Sequence, residues 1–146
     1  MTASLKGGAE SANRGGEHLL IRADGNQQIG LGHLMRCLAL AQHWLQRCGP
    51  VTFALAEEVP VFALRLRNEG GGQRLVAVEP GTAADADATA ALAAELGAAW
   101  IVCDGYHFGP AYQARLKASG RRLLFVDDYG HGEEYCAEHL PKKAGR

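Results

Sequence analysis

"HLLIRADGNQQIGLGHLMRCLALAQHWLQRCGP", residues 18 to 50, sets a short apolar run against a long amphipathic one, with a glycine-rich polar turn between them. Residues 18 to 24 have the length of a strand. In residues 31 to 49, Leu34, Leu38, Ala41 and Leu45 recur at helical spacing. Gly49 and Pro50 end that helix, as a terminal glycine followed by proline does. Strand, turn and helix together are the opening unit of a parallel α/β sheet.

The alternation continues to the end of the chain. Residues 51 to 55 read as a strand, 60 to 70 as a helix opened by proline and closed by glycine, and 74 to 78 as a strand. The alanine-rich run 84 to 98 is a helix whose early acidic residues suit the positive end of its dipole. Residues 99 to 104 form a strand, 109 to 120 a helix and 122 to 128 a fifth strand. Strands that are almost continuously apolar belong to a parallel sheet covered on both faces. The expected fold is therefore a Rossmann-like three-layer α/β sandwich with a parallel sheet of about five strands. Residues 1 to 17, small, polar and glycine-rich, read as a disordered leader; 18 to 140 form the domain and 141 to 146 a tail.

A chain of 146 residues suffices for one domain that buries roughly two-thirds of its unfolded surface. The hydrophobic fraction of 47%, the charged fraction of 21% and the formal net charge of -1 carry no polyelectrolyte signal, so nucleic acid is not an expected partner. Cys37, Cys48, Cys103 and Cys136 form no CxxC pair, and three lie in apolar runs, as free thiols in a reducing compartment do. No run approaches the ~18 apolar residues of a membrane span, and no signal peptide is evident. The expected location is the cytoplasm.

In an open parallel sheet, ligands bind beyond the carboxyl ends of the strands. Asp24, Asn26, Gln27 and Gln28 follow the first strand; Asp104, Tyr106 and His107 follow the fourth; Asp127, Asp128, Tyr129 and His131 follow the fifth. The dinucleotide fingerprint fails, because Gly30 and Gly32 are followed by Met35 where a third glycine belongs. No P-loop motif is present. What remains is a glycine turn offering backbone N–H groups at a helix start, a site for an anionic or hydroxyl-bearing ligand. His33 lies in the first helical turn with Arg36 on the same face. The helix dipole there disfavours imidazolium and keeps the ring available as a proton acceptor. Each carboxylate reads equally well as a helix cap, and His33 equally well as a packing residue. Asp127 and Asp128, being adjacent, point opposite ways, so a metal site is not expected, nor is a cofactor.

The run Arg22-Ala23-Asp24, then Ile29 through Ala41, resembles the N-terminal signature of the UDP-2,4-diacetamido-2,4,6-trideoxy-β-L-altropyranose hydrolases of pseudaminic acid biosynthesis, a family that includes spore-coat polysaccharide proteins. The stretch from Ile101 to Leu140 resembles the family's later segment. The likeness spans about residues 19 to 140 and implies the N-terminal half of a GT-B glycosyltransferase fold, without the C-terminal UDP-binding domain. It further implies that His33 activates water for inverting attack at the anomeric carbon, releasing UDP and the free sugar. Asp24, Gly30 and Gly32 would line the sugar and diphosphate pocket, and Arg36 would orient the loop. Asp104 and Tyr106 would lie near the sugar, and Asp127 and Asp128 match a family pair. Gly105 departs from the family, which is usually bulkier there, and residues 138 to 141 depart from its interdomain strand.

Two alternatives stand beside the hydrolase reading: a GT-B glycosyltransferase domain that uses an acceptor hydroxyl, and a nucleotide-sugar-binding remnant without catalysis. The expected partners are a UDP-sugar and a separate C-terminal domain or second copy. Low activity is expected of this polypeptide alone, because remote binding energy helps position the reacting centre.

Overall fold

The structure, a computed structural model, describes residues 16–126. Five strands, β1 (His18–Ala23), β2 (Val51–Leu55), β3 (Gly72–Leu75), β4 (Ala98–Asp104) and β5 (Arg122–Val126), alternate with four helices, α1 (Gly32–Arg47), α2 (Pro60–Asn68), α3 (Ala83–Leu96) and α4 (Pro110–Lys117). Every strand pair is parallel, in the order β3-β2-β1-β4-β5. The order reverses between β1 and β4, where the chain first builds outward on one side and then returns to build on the other.

Successive strand residues face opposite sides of a sheet, and β1 obeys this. Leu20 joins a cluster with Ala86, Ala93, Ile101, Tyr112 and Leu116 under α3 and α4. Leu19 and Ile21 join the opposite one with Leu34, Leu38, Phe53, Phe62 and Leu66 under α1 and α2. The helical spacing in α1 delivers Leu34, Cys37, Leu38 and Ala41 to that core.

Arg22 is the charged exception within the buried, apolar part of β1. It lies on the Leu20 side and is fully buried. Its guanidinium pairs with Asp24 at 2.8 Å and with Asp85 at 2.9 Å, and packs 5.2 Å from the Phe108 ring centroid. Burial alone would lower its pKa, but hydrogen bonds and charge from Asp85 and Asp24 outweigh this and raise it further. Asp85 was expected to serve the α3 dipole; instead it is buried as the counter-ion of Arg22.

The place of the third strand and the role of Gly49 differ from the sequence expectation. The third strand is Gly72–Leu75 and not 74 to 78: it is an exposed edge, and the apolar Val76 and Val78 come after it and pack on the core. Its hydrogen-bonding partner β2 fixes the register, with Thr52 opposite Gly72. Gly49 does not cap α1 in a left-handed conformation. A side chain there would strike the backbone of Gly16 and Glu17, so glycine is required by close approach.

Removing the buried cation strands two carboxylates. Arg22→Met is expected to lower unfolding free energy by about 3–5 kcal/mol, measured by urea denaturation at pH 7.

Candidate functional site

β1 and β4 end side by side, with Ala23 opposite Asp104. The Asp104 carboxylate is fully buried. Its Oδ1 accepts from His33 Nδ1 at 2.7 Å and from Arg36 Nη2 at 2.6 Å, and its Oδ2 accepts from Arg36 Nε at 2.8 Å. The Cys37 thiol donates to Oδ2 at 3.5 Å. These three partners fall on one face of α1 because they are three and four residues apart. An ionised carboxylate only accepts, so the ring nitrogen of His33 that faces it carries the hydrogen, leaving Nε2 as the acceptor. The 3.4 Å approach between Arg36 Nη2 and His33 Nδ1 is the consequence of two donors converging on one oxygen. The Tyr106 ring meets the imidazole edge-on at 4.9 Å. Burial, with Asp104 close by, pushes the Cys37 thiol well above the usual thiol range.

Asp24, at the end of β1, is buried too. Its Oδ1 accepts from Arg22 Nη1 at 2.8 Å and from the Ala56 N–H at 2.7 Å, while Oδ2 faces His107 Nε2 at 3.1 Å. Burial works to raise the Asp24 pKa. Hydrogen bonds from His107 and Arg22, the Arg22 charge and the Ala56 N–H outweigh it and hold the carboxyl at about 2. Behind Asp24, Arg22 reaches Asp85, which also accepts from the Gly81 N–H, Thr89 and Tyr112 at 2.8, 3.1 and 3.2 Å. The two sites are thus crossed: the carboxylate ending β1 holds the histidine that follows β4, and the carboxylate ending β4 holds the histidine that follows β1.

The glycine turn is more closed than the sequence suggests. Asn26 Oδ1 takes the N–H groups of Gln28 and Ile29, and the Asn26 carbonyl takes that of Gly30, whose φ of 77° calls for glycine. Those amides are consumed by the turn itself. The first turn of α1 has no side-chain cap, and a Cβ at Gly32 would meet nothing within 4 Å. Asn26 also donates to Glu57 at 2.8 Å, spanning a cleft of about 610 Å³ whose lining includes Gly30, Leu31, Glu57, Val59 and Val61.

Of the residues singled out from sequence, the structure brings together His33, Arg36, Asp104 and Tyr106, and sets Asp24, Gly30 and Gly32 on the same strand-end surface. Asp127 and Asp128 lie outside the described residues. Sequence reasoning gave no ion-pair role to Arg22 or Asp85, and left His107 as one of several polar residues after the fourth strand. A lone arginine in an apolar strand was the available signal for the first two; His107 had only its place after β4. His18 is half-buried and bonds Thr52 Oγ1 at 2.8 Å. Among the described residues no three His, Cys, Asp or Glu side chains group as a metal ion would require, and no helix is long and apolar enough to cross a membrane.

No family model matches the chain, and no curated protein matches it. Among solved structures it is similar to MurG of Acinetobacter baumannii, with a TM-score of 0.62 and 14% identity over 87% of this chain and 43% of that one. It is also similar to the glycosyltransferase SnogD of Streptomyces nogalater, with a TM-score of 0.50 and 18% identity over 76% of this chain and 36% of that one. The fold is the Rossmann-like half of a GT-B architecture. The chain spans less than half the length of either neighbour. At these identities the likeness to glycosyltransferases of GT-B architecture is one of fold.

The Asp24 carboxyl, at about 2 when folded against 3.8 when free, binds its proton less readily in the fold. Its contribution of about 2 kcal/mol is therefore complete above pH 4 and lost as pH falls through 2. Acid titration of unfolding free energy is expected to show this loss in the parent chain and a flatter curve between pH 4 and 2 in Asp24→Asn.

Proposed function

We propose that this chain is a nucleotide-sugar-processing domain in which His33 is the general base for displacement at an anomeric carbon. The observation that carries the reading is the buried Asp104 carboxylate on His33 Nδ1 at 2.7 Å, which orients the ring and assigns Nε2 as the acceptor. The nucleophile's O–H proton passes to Nε2 as its oxygen bonds the anomeric carbon. The bond from that carbon to the diphosphate breaks, and UDP leaves with the electron pair.

With an acceptor hydroxyl as nucleophile this is glycosyl transfer, the reading favoured by the GT-B neighbours. With water it is hydrolysis, favoured by the signature-like run from Arg22 to Ala41. In either form Asp24 and Asp104 act through the histidines they hold, since their oxygens are occupied by protein donors. The open approach at Gly32 and the uncapped first turn of α1 would admit the phosphates. Arg36, with its side chain 42% exposed, would offset their charge at the rim. The uridine would be gripped by the part of a GT-B architecture that this chain does not span, so turnover by the chain alone is slow.

³¹P NMR of UDP-2,4-diacetamido-2,4,6-trideoxy-β-L-altropyranose and of UDP-N-acetylglucosamine with this chain tests the reading. UDP is expected to appear, and His33→Ala to slow its appearance by about 10²-fold or more. Release in buffer alone identifies hydrolysis; release only after a hydroxylated acceptor is added identifies transfer. Release unaffected by His33→Ala, or none under either condition, overturns it.

A further inference from the structure

We propose that His107 is a second working imidazole of this site, donating from Nδ1 to the departing phosphoryl oxygen while His33 handles the nucleophile. This rests on the nucleotide-sugar reading above and assigns the group that meets the leaving diphosphate.

The ring is fixed on three sides. Nε2 lies 3.1 Å from Asp24 Oδ2, an oxygen for which Arg22 and Ala56 do not compete because both bind Oδ1. Its face packs on Phe108 with centroids 4.2 Å apart. Cε1 lies over Gly105, where an added Cβ would come within 3.0 Å of both Cε1 and the Phe108 ring. A side chain at Gly105 would therefore crowd this imidazole, and one at Gly81 would come within 2.5 Å of the His107 carbonyl oxygen, so glycines on two loops leave room for the residue. No described residue bonds Nδ1, and the side chain is 32% exposed.

The place has chemical meaning. His107 follows β4 beside the point where strand order reverses, the position at which open α/β sheets bind ligands. The charged and titratable groups around it are Asp24 at the end of β1, Arg22 behind Asp24, Asp85 in the first turn of α3 and, across Phe108, Tyr112 of α4. Asp24 orients the ring as Asp104 orients His33, but through the other nitrogen. His33 keeps Nε2 as its acceptor, whereas His107 presents Nδ1. With Nε2–H held toward Asp24, Nδ1 takes a proton from solvent as the anionic diphosphate approaches, and it donates that hydrogen to the departing oxygen as the carbon–oxygen bond to phosphate breaks. The strand-end edge of the sheet thus carries two oriented imidazoles, one presenting an acceptor nitrogen and the other a nitrogen that donates once protonated.

Imidazole ¹⁵N–¹H correlation spectra of this chain, alone and with millimolar UDP or inorganic pyrophosphate, test the proposal. The free protein is expected to show opposite tautomers, Nδ1–H for His33 and Nε2–H for His107. Either probe should move the His107 Nδ1 resonance toward its protonated position. His107→Gln, whose amide can still reach Asp24, should fold as the parent does and bind UDP about tenfold more weakly. Gly105→Ala, which displaces the ring without deleting it, should weaken binding in the same direction. A His107 Nδ1 signal that ignores both probes, or UDP affinity unchanged in His107→Gln, overturns it. If the ³¹P assay shows UDP release while Nδ1 stays silent, this inference falls alone. If there is neither release nor response, both readings fall.

Discussion

A guanidinium in the middle of an apolar sheet is the constraint on which the arrangement depends. Arg22 cannot sit fully buried near the end of β1 unless carboxylates neutralise it, and Asp24, just beyond that strand, and Asp85 of α3 do so. Each of those carboxylates then binds further groups. Asp24 ties down the backbone after β2 and the histidine after β4. Asp85 gathers Gly81, Thr89 and Tyr112. A well-packed apolar trio of similar volume would stabilise the core at least as well. What the ion cluster contributes is direction: it fixes loops from both sides of the strand-order reversal relative to one strand.

Asp104 is the counterpart of Asp24 with a different supply of charge. Its guanidinium, Arg36, approaches from α1 with its side chain 42% exposed, whereas Arg22 is wholly buried. One pair is therefore anchored by the core and the other by a helix surface that solvent or a ligand can reach. The crossing of the pairs between β1 and β4 follows from topology. These strands are neighbours in the sheet and distant in sequence, so the loop after each one faces the end of the other.

The GT-B neighbours, at 14% and 18% identity, share a way of stacking strands and helices. Fold alone does not assign chemistry. In this chain the argument for chemistry comes from atoms: a fully buried carboxylate on one ring nitrogen, a buried and strongly acidic one on another, and a glycine whose missing side chain makes room for a ring.

The sequence by itself determined the strand–helix alternation, the parallel class of the sheet and the α1 face that carries His33, Arg36 and Cys37, because periodicity and i, i+3, i+4 spacing are local properties. It misplaced β3, since an edge strand need not be apolar and the apolar Val76 and Val78 lie beyond it. It read Asp85 as a dipole partner because nothing local distinguishes a carboxylate that caps from one that neutralises a buried cation 63 residues away. Only the tertiary structure decided which carboxylate holds which histidine, and by which nitrogen. Those pairings join residues 71 and 83 positions apart, and they exist only once β1 and β4 lie side by side.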